Sequence, residues 1–201
     1  MHITSFELGS MGANCYVVID DEAKSCAVID PGGQGHDLAR WLEGEGLTPK
    51  AVFLTHGHFD HVGGVKALLE HYTDLPVYVH AADTDLGPHL GKGLVFNRHY
   101  DEGDVMEIDG LTFRILNTPG HTPGSVCIRL EDSLHLFTGD TLFAGSCGRT
   151  DFPKGSWTQM QQSLARLSAM EENLHVLSGH GPASTLDRER NSNPYMKEAL
   201  Q

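Results

Sequence analysis

Thr55-His56-Gly57-His58-Phe59-Asp60-His61 places four potential metal ligands within six consecutive residues. The apolar run Ala51-Val52-Phe53-Leu54 precedes it, and Val62, Val65, Leu68, Leu69 and Tyr72 follow at helical spacing. The pattern predicts a strand, a ligand-bearing loop and a helix. A strand end fixes the start of such a loop and a helix start fixes its finish, so imidazoles and a carboxylate can converge on cations of borderline hardness. The His-x-His alternation lets two rings approach one ion, while Asp60 and His61 are displaced enough to serve a second. Gly57 leaves room for the tight path. The plainer reading, a helix N-terminus capped by Asp60 with histidines on the surface, does not account for so dense a pattern.

Upstream, Ile3 to Leu8, Cys15 to Ile19 and Ser25 to Ile29 are short β-branched runs separated by turn residues, which predicts an antiparallel meander. The third run ends at Asp30-Pro31-Gly32-Gly33. Asp30 is either a hydrogen-bond partner behind the ligand loop or a turn residue. Leu38, Trp41 and Leu42 predict a helix over His36 to Glu45.

Downstream, Pro76 to Val79 reads as a strand, Ala81 to His89 as a short helix, and Gly87 to Tyr100 as a loop. Asp104 to Ile108 and Leu111 to Asn117, around Asp109-Gly110, predict a hairpin. Its second arm runs into Pro119-Gly120-His121-Thr122-Pro123-Gly124. Val126 to Leu130 and Leu134 to Thr138 predict a further pair around Glu131-Asp132-Ser133, ending at Gly139-Asp140. Trp157, Met160, Leu164, Leu167 and Met170 mark a long amphipathic helix whose stripe belongs to the core. Val176-Leu177 is a last buried strand, followed by Gly179-His180. His121, Asp140 and His180 thus each lie just past a strand end and each follow a glycine. With the first loop they give five histidines and two aspartates, enough for two metals sharing Asp140. The other eight of the 13 histidines lack such settings.

The chain has 201 residues with 14 Lys and Arg against 27 Asp and Glu, a formal charge of -13, which argues against a nucleic-acid partner. A single domain over 1–201 is expected. There is no run of eighteen apolar residues and no charged-then-apolar leader at Met1, so the expectation is a cytoplasmic protein with no membrane partner, monomeric or a small homo-oligomer. Cys15, Cys26 and Cys127 sit in apolar runs and read as core, and all four cysteines are expected to be reduced.

His56, His58, Asp60 and His61 meet the His-x-His-x-Asp-His signature, and the sequence resembles the metallo-β-lactamase fold superfamily, with His121, Asp140 and His180 matching its later ligands in order. The resemblance implies an α/β (α+β) fold, a four-layer αββα sandwich. It also implies a first metal on His56, His58 and His121, a second on Asp60, His61 and His180, and Asp140 bridging them. Within the superfamily, Thr138 to Arg149 is similar to hydroxyacylglutathione hydrolases, the glyoxalase II group. There a basic residue after a Gly-Cys-Gly turn helps hold glutathione, and here Ser146-Cys147-Gly148 leads into Arg149. The helical glutathione-binding domain that follows the last histidine in that group is absent from the expected architecture, since 21 residues follow His180.

The expected function is therefore metal-dependent hydrolysis of a small-molecule thioester of the hydroxyacylglutathione type by hydroxide held between two divalent ions. Asp60 and Asp140 are assigned to the catalytic centre and Arg149 to substrate binding, as a carboxylate anchor. Zinc is the chemical default for the metal, with iron and manganese accepting the same ligands. The rival reading is a persulfide dioxygenase with one iron, to which Thr150-Asp151-Phe152 is similar. A secreted β-lactamase is expected to begin with a leader, and a nuclease to present basic surface.

Overall fold

The structure, a computed structural model, describes residues 1–131 and 133–200. Strands β1 (His2–Leu8), β2 (Ala13–Asp20) and β3 (Ser25–Ile29) form the expected antiparallel meander. Helix α1 (Gly35–Gly44) then crosses to β4 (Thr48–Phe53), parallel to β3. Helices α2 (Phe59–Val62) and α3 (Val65–His71) lead to β5 (Val77–His80), and α4 (Gly87–Leu90) leads to β6 (Arg98–Tyr100), both strands again parallel to their neighbours. These strands make one sheet in sequence order.

Strands β7 (Val105–Ile108), β8 (Leu111–Asn117), β9 (Val126–Leu130) and β10 (His135–Gly139) follow as an antiparallel run. The turn expected at Glu131 to Ser133 contains Asp132, which lies outside the described residues. After a small hairpin of β11 (Leu142–Phe143) and β12 (Ser146–Cys147) comes α5 (Trp157–Ser168). Then β13 (His175–Ser178), β14 (Ser184–Thr185), α6 (Leu186–Ser192) and α7 (Pro194–Glu198) complete the chain. The second sheet runs β14-β13-β10-β9-β8-β7.

Side-chain alternation explains the layering. Strand β2 is buried along nearly its whole length because its two faces enter different cores. Tyr16 and Val18 pack with Phe53, Phe113, Ile115, Ile128 and Phe137 between the sheets. Cys15, Val17 and Ile19 pack outward against Leu38, Leu42, Val65 and Leu68 of α1 and α3. On the other side, Cys127, Leu136 and Val176 meet Met160, Leu164 and Leu167 of α5 with Leu186 and Met196. The result is the αββα sandwich. All four cysteines are free, with Cys15, Cys26 and Cys127 buried as expected. Among the described residues, no helix is long and apolar enough to cross a membrane.

Three local readings are corrected. The helix expected from Val62 to Tyr72 is split at Gly63-Gly64, where the Gly64 N–H donates to the Pro31 carbonyl at 2.7 Å and a Cβ would collide with Gly33 and Pro31. The helix expected over Ala81 to His89 is a 3-10 turn at Ala81–Asp83 followed by α4. The loop expected from Gly87 to Tyr100 contains α4 and also β6, too short a strand to show a period.

Candidate metal centre

Every candidate ligand lies beyond the C-terminal end of a strand: the first loop after β4, His121 after β8, Asp140 after β10 and His180 after β13. Five hydrogen bonds hold these loops in place. The Val126 N–H donates to the Thr55 carbonyl, and the Asn14 N–H to the Gly179 carbonyl at 2.7 Å. Asn14 Nδ2 donates to the carbonyls of Ser178 and Gly181, and the Tyr16 hydroxyl to that of Ser178. A Cβ on Gly32 would lie 1.8 Å from the Asp60 carbonyl, so only glycine lets the β3–α1 turn press so closely under the ligand loop.

The seven side chains picked out in the sequence converge. His56, His58 and His121 form one group with ligand atoms within 4.8 Å of one another, and Asp60, His61 and His180 form a second. Asp140 reaches into both, with Oδ1 3.4 Å from His61 Nε2 and Oδ2 3.4 Å from His121 Nε2 and 3.8 Å from His180 Nε2. His58 Nδ1 and His121 Nε2 are 2.8 Å apart, and His61 Nε2 and His180 Nε2 3.3 Å apart.

An outer layer sets which nitrogen of each ring faces inward. His61 Nδ1–H donates to Asp30 Oδ2 at 3.0 Å, and His121 Nδ1–H donates to the Arg149 carbonyl at 2.7 Å. The Thr55 hydroxyl donates to Asp30 at 2.6 Å and accepts from His56 Nδ1–H at 3.1 Å. The Nε2 lone pairs of all three rings are thereby left to the centre. His56 Nε2 and Asp140 Oδ1 are buried with no hydrogen-bond partner. Orphaned buried acceptors are costly, and here they fit divalent cations of the kind that imidazole and carboxylate prefer. Asp30, held at φ 49, is a partner behind the ligands and not a plain turn residue. Asp30→Ala is expected to weaken metal affinity about 10- to 100-fold, measured by competition with a chromophoric chelator.

The charges follow from burial and pairing. Burial, with the neighbouring His121, pushes the His58 imidazole down to about 3, and burial with the surrounding histidines holds His56 well below its usual range. Burial also opposes the His61 charge, but Asp140, Asp30 and Asp60 outweigh it and raise the ring to about 9. In Asp60, burial works upward, but the His180 hydrogen bond and the His61 charge bring the carboxyl down to about 2. In metal-free protein, the depressed His58 contributes stability above its ordinary 6.5 that is lost on acidification towards about 3, and the depressed His56 acts in the same direction. The raised His61 contributes below 6.5 and loses its contribution as pH rises through about 9. The Tm of chelated protein, followed by calorimetry, is expected to peak between these limits and to fall on both sides.

A pocket of about 430 Å³ opens over this centre, bounded by Met11, Phe59, Leu90, Phe143, Cys147 and Phe152 as well as ligand residues. Arg149 also lines it, with Nε and Nη2 donating to Asp151 at 2.6 and 2.7 Å and the guanidinium 4.0 Å over the Phe152 ring. Cys147 is half-buried, and burial raises its thiol to about 11.

The family model of the metallo-beta-lactamase superfamily matches residues 8–180. The chain belongs to this superfamily. It is 33% identical to the hydroxyacylglutathione hydrolase GloC of Haemophilus influenzae over 98% of both chains. Among solved structures it is similar to the BLEG-1 B3 metallo-beta-lactamase, with TM-score 0.87 and 33% identity over 97% of this chain and 99% of that one. It is also similar to TTHA1623 in a di-iron-bound form, with TM-score 0.84 and 37% identity over 96% and 99%. As a superfamily member the chain is a metallohydrolase-type enzyme with a site for divalent metal.

Some residues that shape this metallo-β-lactamase-fold site carry no sequence signal. Asp83 is fully buried and accepts from the Gly57 N–H at 2.9 Å, the Thr122 hydroxyl at 2.7 Å and the Gly124 N–H at 2.6 Å, tying the His58 loop to the His121 loop. Burial raises its carboxyl. Glu189, also fully buried, accepts from the Gly145 N–H at 2.7 Å, from Asn193 Nδ2 at 2.9 Å and from Ser184. Asn193 Nδ2 donates to the Ser146 carbonyl at 2.9 Å, so α6 and α7 hold the β11–β12 hairpin that walls the pocket. Both acids stand in segments without distinctive spacing, and the loops they tie down, at Gly57, Thr122 and Gly124 for Asp83 and at Gly145 for Glu189, lie far along the chain.

Proposed function

We propose that the protein hydrolyses small thioesters, hydroxyacylglutathione among them, at a two-metal centre. The observation that carries this reading is Asp140 set between two separate ligand groups on the floor of an open, largely apolar pocket. His56, His58 and His121 would hold one ion, Asp60, His61 and His180 the other, and Asp140 both. Divalent ions bound there supply Lewis acidity towards an acyl carbonyl and a nucleophile from water near neutral pH.

The chain's own residues do the rest. Asp30 and the Arg149 carbonyl keep the Nδ1 protons of His61 and His121 pointed away from the reacting atoms. Phe143 and Phe152 flank the centre and exclude bulk water from an acyl group seated there. A thiolate leaves without a strong general acid, and none is supplied. Zinc is the proposed metal, with iron the other candidate. The second reading, persulfide oxidation at one iron, draws on the same ligand set and rests on Thr150-Asp151-Phe152.

Arg149 is proposed as a substrate contact through its flat guanidinium, stacked on Phe152, and not as the carboxylate anchor expected from sequence. Asp151 already meets its charge, and an exposed pair of this kind is worth little to exchange for another carboxylate. Arg149→Ala is expected to raise KM for a hydroxyacylglutathione thioester no more than about threefold at unchanged metal content. A rise of about thirtyfold or more would restore the anchor. The direct assay is hydrolysis of S-lactoylglutathione by metal-loaded protein beside oxygen uptake with glutathione persulfide. Oxygen uptake without thioester turnover contradicts the proposal.

A further inference from the structure

We propose that the pocket recognises its thioester by an uncharged, apolar thiol arm and does not read the charged ends of glutathione. This rests on the thioester reading above and names the part of the substrate that the site selects.

The geometry around the two ligand groups carries the inference. Phe152 presents its ring at 5.7 Å to His58 and 6.3 Å to His121, on one side of the centre. Phe143 lies 6.2 Å from His180, on the other. A thioester whose carbonyl sits over Asp140 must therefore send its arm out between two aromatic walls. Leu90, Met11 and Phe59 line the same pocket. Met11 is 60% and Phe59 40% exposed, so this path stays apolar up to the solvent. Large apolar side chains left in water beside a polar centre are most simply accounted for by a ligand that covers them.

The charges along the same path point the same way. Arg149 is the cation among the described lining residues, and Asp151 binds it through both carboxylate oxygens, so the pair presents no net charge. The chain as a whole is strongly acidic, at -13. Glutathione would bring two carboxylates and one ammonium to this pocket. The carboxylates would have to compete with Asp151 for a single guanidinium, with no gain in the number of ion pairs. An apolar arm covers Phe152, Phe143 and Met11 with no such exchange.

The test holds the acyl group constant. The lactoyl thioesters of glutathione and of benzyl mercaptan are assayed with the metal-loaded protein, and each kcat/KM is divided by the rate of uncatalysed hydrolysis of the same compound. The benzyl thioester is expected to exceed the glutathione thioester by about tenfold, the scale on which apolar pockets discriminate. Met11→Ser changes an exposed loop residue and is expected to lower that ratio roughly threefold or more. A normalised kcat/KM for glutathione equal to or above that for benzyl mercaptan overturns this inference and leaves thioester hydrolysis standing. Turnover of neither compound overturns both.

Discussion

Asp140→Ala is expected to reduce thioester hydrolysis roughly a thousandfold or more, because one side chain serves both ligand groups and its loss disturbs both at once. Its two oxygens lie 3.4 Å from His61 and 3.4 Å from His121, and one of them has no hydrogen-bond partner within the protein. Removing the carboxylate takes away the negative charge that offsets the cations while leaving the imidazoles in place. Kinetics and elemental analysis on the same sample check this, and the expected result is less than the full metal complement with hydrolysis close to background. Undiminished turnover in this variant would show that the reaction does not depend on the centre described.

Gly179→Ala is expected to be nearly as damaging, although it adds only one methyl group and removes no ligand. A Cβ at this position would lie 2.3 Å from Asp140 Oδ1 and 2.7 Å from His61 Cε1, distances that neither group tolerates. Displacing two ligands by something near an ångström costs about a hundredfold in rate. Gly181→Ala is the control, since nothing lies within 4 Å of its Cβ and only the backbone at φ +72 resists the change. Activity and metal content should fall in the first variant and persist in the second. Equal behaviour of the two would mean that the close approach at Gly179 does not hold Asp140 and His61 in place.

Much of this was legible in the amino-acid sequence because the relevant signals are local. The first ligand loop is contiguous, and His121, Asp140 and His180 are each marked by a preceding glycine at the end of an apolar run. The meander, the β7–β8 hairpin and α5 carry clear local signals. What escaped has a common physical origin. Asp83 ties together loops 26 to 41 residues away and Glu189 reaches Gly145 44 residues away, and no spacing rule connects Asp83 to Gly57 and Gly124 or Glu189 to Gly145. Strand β6 is three residues long and α2 is four, below the length at which a period can be counted. Asp30 was ambiguous because a turn carboxylate and a carboxylate behind a ligand look alike until the fold brings His61 and Thr55 to it. The pairing of Arg149 with Asp151 involves neighbours in sequence, but the stacking on Phe152 arises only in the folded chain.

The central claim is that seven side chains from distant parts of the chain form a single two-ion centre. Titrating metal-stripped protein with zinc while following S-lactoylglutathione hydrolysis tests it most directly. Activity is expected to rise until two ions are bound per chain and then to stay level. Full activity at one ion per chain, or hydrolysis unaffected by removal of metal, would contradict it.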